Sequence, residues 1–322
     1  MKRTGTLKTA TVFFLILTVL MCLCSCDFKK EDAATTVADT AAATVPAVET
    51  TDESTTSQPT ETTTHSAQTT KPAVTEVQTE AVTEAPTQVP GENGIETVTD
   101  GKKTIVYPLA LKSSSKTYPV IAWANGTGCP TQLYIKLIEA IANGGYIVIA
   151  DATVMSGDGT AQIDSINYML NKNGDSSSVF FNKVDTYAIG VCGQSQGGRS
   201  CINAAQKDSR IRCVVSIAGA SSADESRGLA TPCFFITGTR DRIVESSQWC
   251  KPSYDAVKGR AAYASLIGGD HLSFMNNTEE IAEYTLDWFD AYLKNDYNAI
   301  AVFSDGGKLA TDGDWQDFQH KN

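Results

Sequence analysis

Histidine is scarce in this chain, and its scarcity limits where acid–base chemistry can occur. The 322-residue sequence contains three His. His65 lies in a Thr- and Ala-rich segment and His320 stands two residues before the C-terminus, whereas His271 follows an apolar, strand-like run. His titrates near neutral pH and is the most frequent general base in enzymes. A base in the folded part of the chain would therefore be His271; the alternative is a turn His beside Asp270.

The sequence also lacks the patterns that bind nucleic acid or metal. Its formal net charge is −11, and no basic tract interrupts the acidic background. The nine Cys show no CxxC or other metal-ligand spacing. Six of them follow the N-terminal region and could pair in an exported domain, although the sequence does not indicate which are joined: Cys129, Cys192, Cys201, Cys213, Cys233 and Cys250. We expect no nucleic-acid partner and no metal.

Residues 1–26 are typical of an export signal. Three basic residues precede an apolar run at 11–23 that is too short to span a membrane comfortably. The run ends in Leu-Cys-Ser-Cys at 23–26, which resembles a bacterial lipobox, although Cys24 is unusual at its position. An ordinary Cys-rich signal peptide is the alternative. We expect a lipid on Cys26 to be the protein's only membrane contact and to tether it outside a bacterial cell; without that lipid it would be secreted.

The segment 27–92 has few large apolar residues and is rich in Thr, Ala, Glu, Pro and Ser. Such a composition cannot bury enough surface to offset chain entropy, so it predicts a disordered stalk. A flexible chain of about 65 residues has a typical end-to-end distance of roughly 45 Å. Twelve Asp and Glu against three Lys place most of the net charge here.

Residues 93–322 alternate short apolar runs with amphipathic stretches, which predicts one α/β domain with a mostly parallel central sheet flanked by helices. We expect a monomer. The predicted strands are 104–107, 120–124, 146–150, 186–192, 213–217, 233–236 and 262–266, and the predicted helices lie near 133–141, 163–170 and 281–292. Residues 296–322 show no pattern that we could assign.

Ser195 is the candidate nucleophile. It is the central residue of a GxSxG sequence at 193–197, which follows an apolar strand and precedes a helix-compatible stretch. Glycines relieve crowding in such a tight turn, so the Ser hydroxyl can project above the sheet. The same turn would aim the backbone N–H of Gln196 at a developing oxyanion. A serine needs a base to become nucleophilic, and His271 is available.

Asp241 is the candidate for the acid that orients His271. It follows the predicted strand 233–236 and comes after the Ser and before the His, one of the known chain orders of a catalytic triad. Alternatively, Asp241 is a turn residue paired with Arg240 or Arg242, or Asp270 fills the role. We favour Asp241 because a side chain adjacent to His271 in sequence would rarely reach its ring.

A second oxyanion donor should lie in the small-residue loop after strand 120–124. We expect the backbone N–H of Thr127, with Gly126 as the neighbour that could replace it. A simple glycine turn would explain these residues equally well.

Four motifs together resemble the bacterial cutinase-like polyester hydrolases and their relatives among dienelactone hydrolases and chlorophyllases. They are the sequence at 119–128, the GxSxGG around Ser195, and the segments 238–244 and 269–271. The resemblance covers about residues 95–295. It implies the α/β-hydrolase fold, cleavage of carboxylic esters and no cofactor, and it supports Ser195, Asp241 and His271 with Thr127 and Gln196 as donors.

The chain departs from polyester-cleaving members of that family at two places. Gln194 and Gln196 replace the His or Trp and the Met that commonly flank the nucleophile, and Ala218-Gly219-Ala220 stands where a substrate-stacking Trp is frequent. We expect a more polar site that prefers short-acyl or sugar-linked esters to aromatic polyesters, unless Trp249 or Trp123 supplies a ring.

These residues predict an extracellular serine carboxylesterase that acts through an acyl-enzyme, on esters that include polymer-linked ones such as polyesters or acylated polysaccharides. Two alternatives stay open. A serine peptidase could use the same three side chains, although no lid-sized insertion points to peptides. A surface lipoprotein could also bind a ligand without catalysis.

Overall fold

The computed structural model describes residues 94–276 and 278–322 of the chain. The predicted signal, Cys26, the stalk and His65 lie outside these residues. Within the described ranges, no helix combines the length and the apolar character that crossing a membrane requires.

The strands of the described part form one mixed sheet. They are β1 (Ile95–Asp100), β2 (Lys103–Pro108), β3 (Tyr118–Ala124), β4 (Ile147–Asp151), β5 (Val184–Gln194), β6 (Ile211–Ile217), β7 (Cys233–Gly238), β8 (Ala261–Leu266) and β9 (Trp315–Lys321). Their order is β1-β2-β4-β3-β5-β6-β7-β8-β9. The pairs β1/β2, β2/β4 and β8/β9 are antiparallel, and the central pairs are parallel. The predicted mostly parallel sheet is confirmed.

Helices cover both faces of this sheet. The α-helices of the described residues are α1 (Ile135–Asn143), α2 (Thr160–Gly174), α3 (Gln196–Lys207), α4 (Ala223–Ser226), α5 (Cys250–Ala256), α6 (Thr278–Leu293), α7 (Tyr297–Val302) and α8 (Lys308–Thr311). Short 3-10 turns occupy Leu109–Lys112, Thr131–Tyr134 and Ser273–Met275.

Two apolar layers hold the helices to the sheet. One contains Leu137 of α1 and Trp288 of α6, and the other contains Ile166 of α2, Ile202 of α3 and Tyr254 of α5. A parallel sheet covered on both faces needs strands that are apolar on both sides, and β6 and β7 are buried almost throughout. This double burial is the reason that the central strands were visible in the sequence as continuous apolar runs.

The C-terminal segment is more regular than the sequence indicated. Residues 296–322, which had no assignment, form α7, α8 and β9, and β9 pairs antiparallel with β8. The strand 262–266 is therefore not the last one. Strand β9 is an edge strand on which Trp315 alone is buried, so it lacks an apolar run. Strand β1 was missed for the same reason.

The parallel strands bring distant loops to one edge of the sheet. The carboxyl ends of β3, β5, β7 and β8 point the same way, so the segments that follow them meet there. Thr127, Ser195, Asp241 and His271 each follow one of these four strands.

Candidate active site

Ser195 occupies the sharp turn between β5 and α3. Its φ of 61° is positive, a conformation that residues other than glycine rarely adopt and that is frequent at functional sites. The N–H of Ser195 donates to the carbonyl of Ile217 at 2.9 Å, and its own carbonyl accepts from the N–H of Gly198 at 2.9 Å. These bonds hold the turn while leaving the hydroxyl free for other contacts.

The glycines of this turn are required by close approach of the backbone. A Cβ at Gly197 would lie 2.1 Å from the carbonyl oxygen of Ala124, and one at Gly193 would lie 2.5 Å from the carbonyl oxygen of Gly197. Real Cβ atoms do not come so near to backbone oxygens, so a larger residue would push β3 and α3 apart. The sequence interpretation of the glycines as relieving crowding fits this geometry.

The structure brings together the three side chains predicted from the sequence. Ser195 Oγ lies 2.9 Å from His271 Nε2, and His271 Nδ1 lies 2.7 Å from Asp241 Oδ2. All three residues are buried. A carboxylate oxygen accepts hydrogen bonds, so this contact suits the tautomer with the proton on Nδ1; in that tautomer Nε2 is free to accept the hydroxyl proton of Ser195.

The backbone after β7 holds the Asp241 carboxylate in place. Its Oδ1 accepts hydrogen bonds from the N–H groups of Ile243 at 2.9 Å and Val244 at 2.8 Å. One oxygen is therefore bound by the turn, and the other is left for His271. Neither Arg240 nor Arg242 forms an ion pair with the Asp241 carboxylate. Arg242 Nη1 lies 3.8 Å from Glu245 Oε1 instead.

Asp270, the competing candidate, is exposed and turned toward the backbone beyond it. Its Oδ1 accepts from the N–H groups of Leu272 at 3.0 Å and Ser273 at 2.8 Å, and from the Ser273 hydroxyl at 2.9 Å. Although partial desolvation opposes them, these hydrogen bonds lower the pKa of the Asp270 carboxyl. Its hydrogen bonds thus cap the 3-10 turn rather than contact the imidazole.

Three backbone N–H groups are the expected candidates for binding an oxyanion: Gly126 and Thr127 in the loop after β3, and Gln196 at the start of α3. The N–H of Gly126 already donates to the Tyr134 hydroxyl at 3.2 Å, so the substitute donor considered from the sequence is occupied. Within the described residues, the N–H groups of Thr127 and of Gln196, the first residue of α3, have no hydrogen-bond partner. The helix dipole of α3 adds positive potential at Gln196.

A buried asparagine fixes the loop that carries Thr127. Asn125 Nδ2 donates to Thr131 Oγ1 at 3.1 Å and to the carbonyl of Asp151 at 3.0 Å, and Asn125 Oδ1 accepts from Trp123 Nε1 at 3.1 Å. Trp123 is thereby committed to the core, 1% exposed and packed on the Tyr134 ring. The suggestion that Trp123 could offer its ring to a substrate is wrong.

The two glutamines beside the nucleophile differ in their surroundings. Gln196 is half-buried, and its Oε1 accepts from the N–H of Ser156 at 3.0 Å, which ties the segment after β4 to the turn. Gln194 is 1% exposed, and its amide contacts Tyr134 and His271. Both glutamines place an amide at the nucleophile turn, but the amide of Gln194 faces Tyr134 and His271 instead of solvent. A polar residue at the end of an apolar strand was the one signal of this role in the sequence.

No metal cluster and no disulfide accompany these residues in the described ranges. The six Cys that could have paired are all buried, free thiols. Burial raises the pKa of Cys201 and of Cys250 to about 12, so neither is a thiolate near neutral pH.

A family model described as PET hydrolase-like matches residues 62–311. The chain belongs to this PET hydrolase-like family. Its matched region begins within the segment predicted as a stalk. Membership confirms the resemblance to cutinase-like enzymes and the α/β-hydrolase fold, and it makes the chain an ester-bond hydrolase of the serine esterase class. A binding protein without activity does not fit this family.

Individual relatives of this PET hydrolase-like chain are distant. Cutinase est2 of Thermobifida alba is 25% identical over 227 residues, which cover 68% of this chain and 73% of the relative. A cutinase of Thermobifida fusca is 24% identical over 230 residues, with 68% and 73% covered. A bis(hydroxyethyl) terephthalate hydrolase of Streptomyces coelicolor is 22% identical over 203 residues, with 61% and 63% covered.

Proposed function

We propose that the chain is an exported serine carboxylesterase that cleaves esters through an acyl-enzyme on Ser195. The observation that carries the proposal is the continuous set of contacts from Asp241 through His271 to Ser195, at 2.7 and 2.9 Å. The free N–H groups of Thr127 and Gln196 support it, because a tetrahedral intermediate needs donors beside the nucleophile.

In the acylation step, Ser195 Oγ attacks the ester carbonyl carbon while His271 Nε2 takes its proton. Thr127 and Gln196 donate hydrogen bonds to the resulting oxyanion, and Asp241 stabilises the imidazolium. The intermediate collapses, the C–O bond to the alcohol breaks, and the alcohol leaves with the proton from His271. In deacylation, water gives its proton to His271 and attacks the acyl carbon, and the acid leaves as Ser195 regains its proton.

Labelling with an active-site fluorophosphonate tests this mechanism. We expect one covalent adduct on Ser195, and we expect Ser195→Ala to abolish both labelling and ester turnover while the circular dichroism spectrum is unchanged. The hydroxyl makes no contact on which the core depends. Turnover of Ser195→Ala within tenfold of the native rate would overturn the mechanism.

For the substrate we propose polymer-linked esters, with a preference for short-acyl or sugar-linked esters over aromatic polyesters. The names of the family, PET hydrolase-like, and of the cutinase relatives favour polymer-linked esters, and another relative is named for a small terephthalate diester. The segment after β6 lacks a ring: a Cβ at Gly219 would lie 2.1 Å from Ser216 Oγ, and Ala220 has only a methyl group. Comparing kcat/KM for a short acetyl ester and a soluble terephthalate ester tests the preference, and faster cleavage of the terephthalate ester would contradict it.

We further propose that residues 1–26 direct export, that Cys26 carries a lipid anchor, and that 27–92 is a stalk for the domain at 93–322. The support is the composition and the lipobox-like sequence. Cys26→Ala should move the protein from the membrane fraction to the medium, because the stalk has no apolar segment to replace the lipid. Continued sedimentation of that variant with membranes would count against the anchor.

A further inference from the structure

Gln194 is a buried amide with a fixed orientation beneath the base. Its Oε1 accepts from the Tyr134 hydroxyl at 2.9 Å, and its Nε2 donates to the His271 carbonyl at 3.1 Å. A carbonyl can only accept, so the amide nitrogen must face His271. The Tyr134 hydroxyl accepts from Gly126 N–H, which leaves its own proton for Gln194 Oε1. The partners on both sides thus permit one orientation of the amide.

This orientation brings a second contact to the imidazole. Gln194 Nε2 lies 3.3 Å from His271 Nε2, the atom that accepts the Ser195 proton. An amide N–H next to that atom is compatible with the neutral ring, because the lone pair on Nε2 can accept a hydrogen bond. It opposes the protonated ring, whose Nε2 also carries a hydrogen.

We propose that Gln194 is a positioning residue for the general base: it anchors the His271 backbone and disfavours the protonated imidazole of the resting enzyme, so it extends activity to lower pH. The proposal rests on the proposed serine mechanism. Tyr134 extends the effect, because its hydroxyl joins Gln194 to Gly126, the residue before the Thr127 donor. The amide of Gln194 therefore contacts the base, His271, on one side and is connected on the other side, through Tyr134, to the backbone that precedes Thr127.

The other ionisable groups near this network have identified roles. Asp241 contacts the opposite ring nitrogen of His271, and exposed Asp270 caps the adjoining turn. Desolvation raises the pKa of the Tyr134 hydroxyl and that of the Cys129 thiol beside it, so both are neutral across the working range. A change at position 194 is thus the direct way to alter the charge next to His271 Nε2.

The test is the pH profile of kcat/KM on a small soluble ester for the native enzyme, Gln194→Glu and Gln194→Met. A carboxylate next to Nε2 stabilises the imidazolium, so Gln194→Glu should move the acid limb to higher pH by about one unit or more. Gln194→Met keeps the shape but loses both hydrogen bonds. It should lower kcat about tenfold with KM within about twofold, and move the limb upward by less.

Gln162 offers a matched control. It is also a fully buried glutamine, whose Nε2 donates to the Ala122 carbonyl at 2.8 Å and whose Oε1 accepts from Ser200. Gln162→Met should lower stability as Gln194→Met does, without moving the acid limb. If Gln194→Glu does not fold, the comparison of the two Met variants decides the question.

A double-variant cycle tests the link through Tyr134. Tyr134→Phe and Gln194→Met break the same chain of hydrogen bonds, so their combined effect on kcat should be clearly less than the product of the separate effects. Independent effects would remove Tyr134 from the proposal.

An acid limb that stays at the native pH in Gln194→Met would overturn the proposal for Gln194, because this variant removes the amide without adding a charge. Fluorophosphonate labelling of the same samples separates this outcome from failure of the serine mechanism. If Ser195 is labelled and the limb does not move, only the role of Gln194 is wrong.

Discussion

Asp241 and Asp270, the two candidates for the acid that orients His271, have different surroundings in the fold. The Asp241 carboxylate is buried between two backbone N–H groups and the imidazole, whereas Asp270 is exposed and caps a turn. We expect Asp241→Asn to lower kcat by about 10³- to 10⁴-fold, because an amide cannot stabilise the imidazolium or hold the correct tautomer. Steady-state kinetics on a soluble ester measure the effect.

Asp270→Asn is the matched control for that substitution. It removes the same charge one residue from the base, but it removes no hydrogen bond to the imidazole, so kcat should stay within about threefold of native. A comparable loss in the two variants would show that the charge, rather than the contact with Nδ1, is what matters.

Ala220 provides a second test at the scale of one side chain. It is half-buried, and its N–H donates to the Ser195 carbonyl at 3.2 Å. If the missing ring limits aromatic substrates, Ala220→Trp should raise kcat/KM for a terephthalate ester relative to an acetyl ester by up to about tenfold, the value of one aromatic contact. Ala220→Leu adds bulk without a ring and should leave the ratio unchanged; an equal rise would exclude stacking as the cause.

At the scale of elements, the contact between β3 and the start of α3 sets the tightness of the nucleophile turn. Gly197→Ala should destabilise the protein by about 3 kcal/mol or more, because its Cβ would meet the Ala124 carbonyl at 2.1 Å. Urea unfolding followed by circular dichroism measures this loss.

Gly174 at the end of α2 is the control, since a Cβ there would meet nothing within 4 Å. Gly174→Ala should be neutral or stabilising by up to about 1 kcal/mol. Equal unfolding midpoints for the two variants would mean that the turn tolerates the clash by shifting.

Elements with regular burial could be read from the sequence, and those without it could not. The central strands were predicted from continuous apolar runs and α6 from its apolar periodicity, because both patterns record contact with the core. Strands β1 and β9 were missed because each has a neighbouring strand on one side only and has at most one buried residue. Their pairing depends on the rest of the sheet, which a local pattern does not contain.

The residues of the candidate active site also divide into those that a local sequence pattern marks and those that it does not. Ser195, His271 and Asp241 were named because a turn motif, a scarce residue and a strand end mark them in the sequence. The contacts of Gln194 with Tyr134 and His271 join residues 60 and 77 positions apart. Nothing local in the sequence indicates which distant groups a buried amide will meet.

At the scale of the whole molecule, the groups proposed for catalysis all lie in the range that begins after the predicted stalk. A chain that starts at Asn93 should therefore keep kcat/KM on a soluble ester within about twofold of the full-length protein. Parallel assays of the two proteins, with circular dichroism to verify folding, measure this. A shortened chain that folds but has lost activity would show that residues before 93 take part in catalysis.

All six thiols in the described ranges are buried, so the rate of their chemical modification reports how often the folded domain opens. A maleimide added to the folded protein finds none of these six sulfur atoms accessible, since each of these residues is at most 3% exposed. Modification then requires the core to open, so its rate depends on the frequency of opening rather than on the intrinsic reactivity of any one Cys. Because the thiols are distributed over both apolar layers, the order in which they become modified would reveal which face of the sheet opens first.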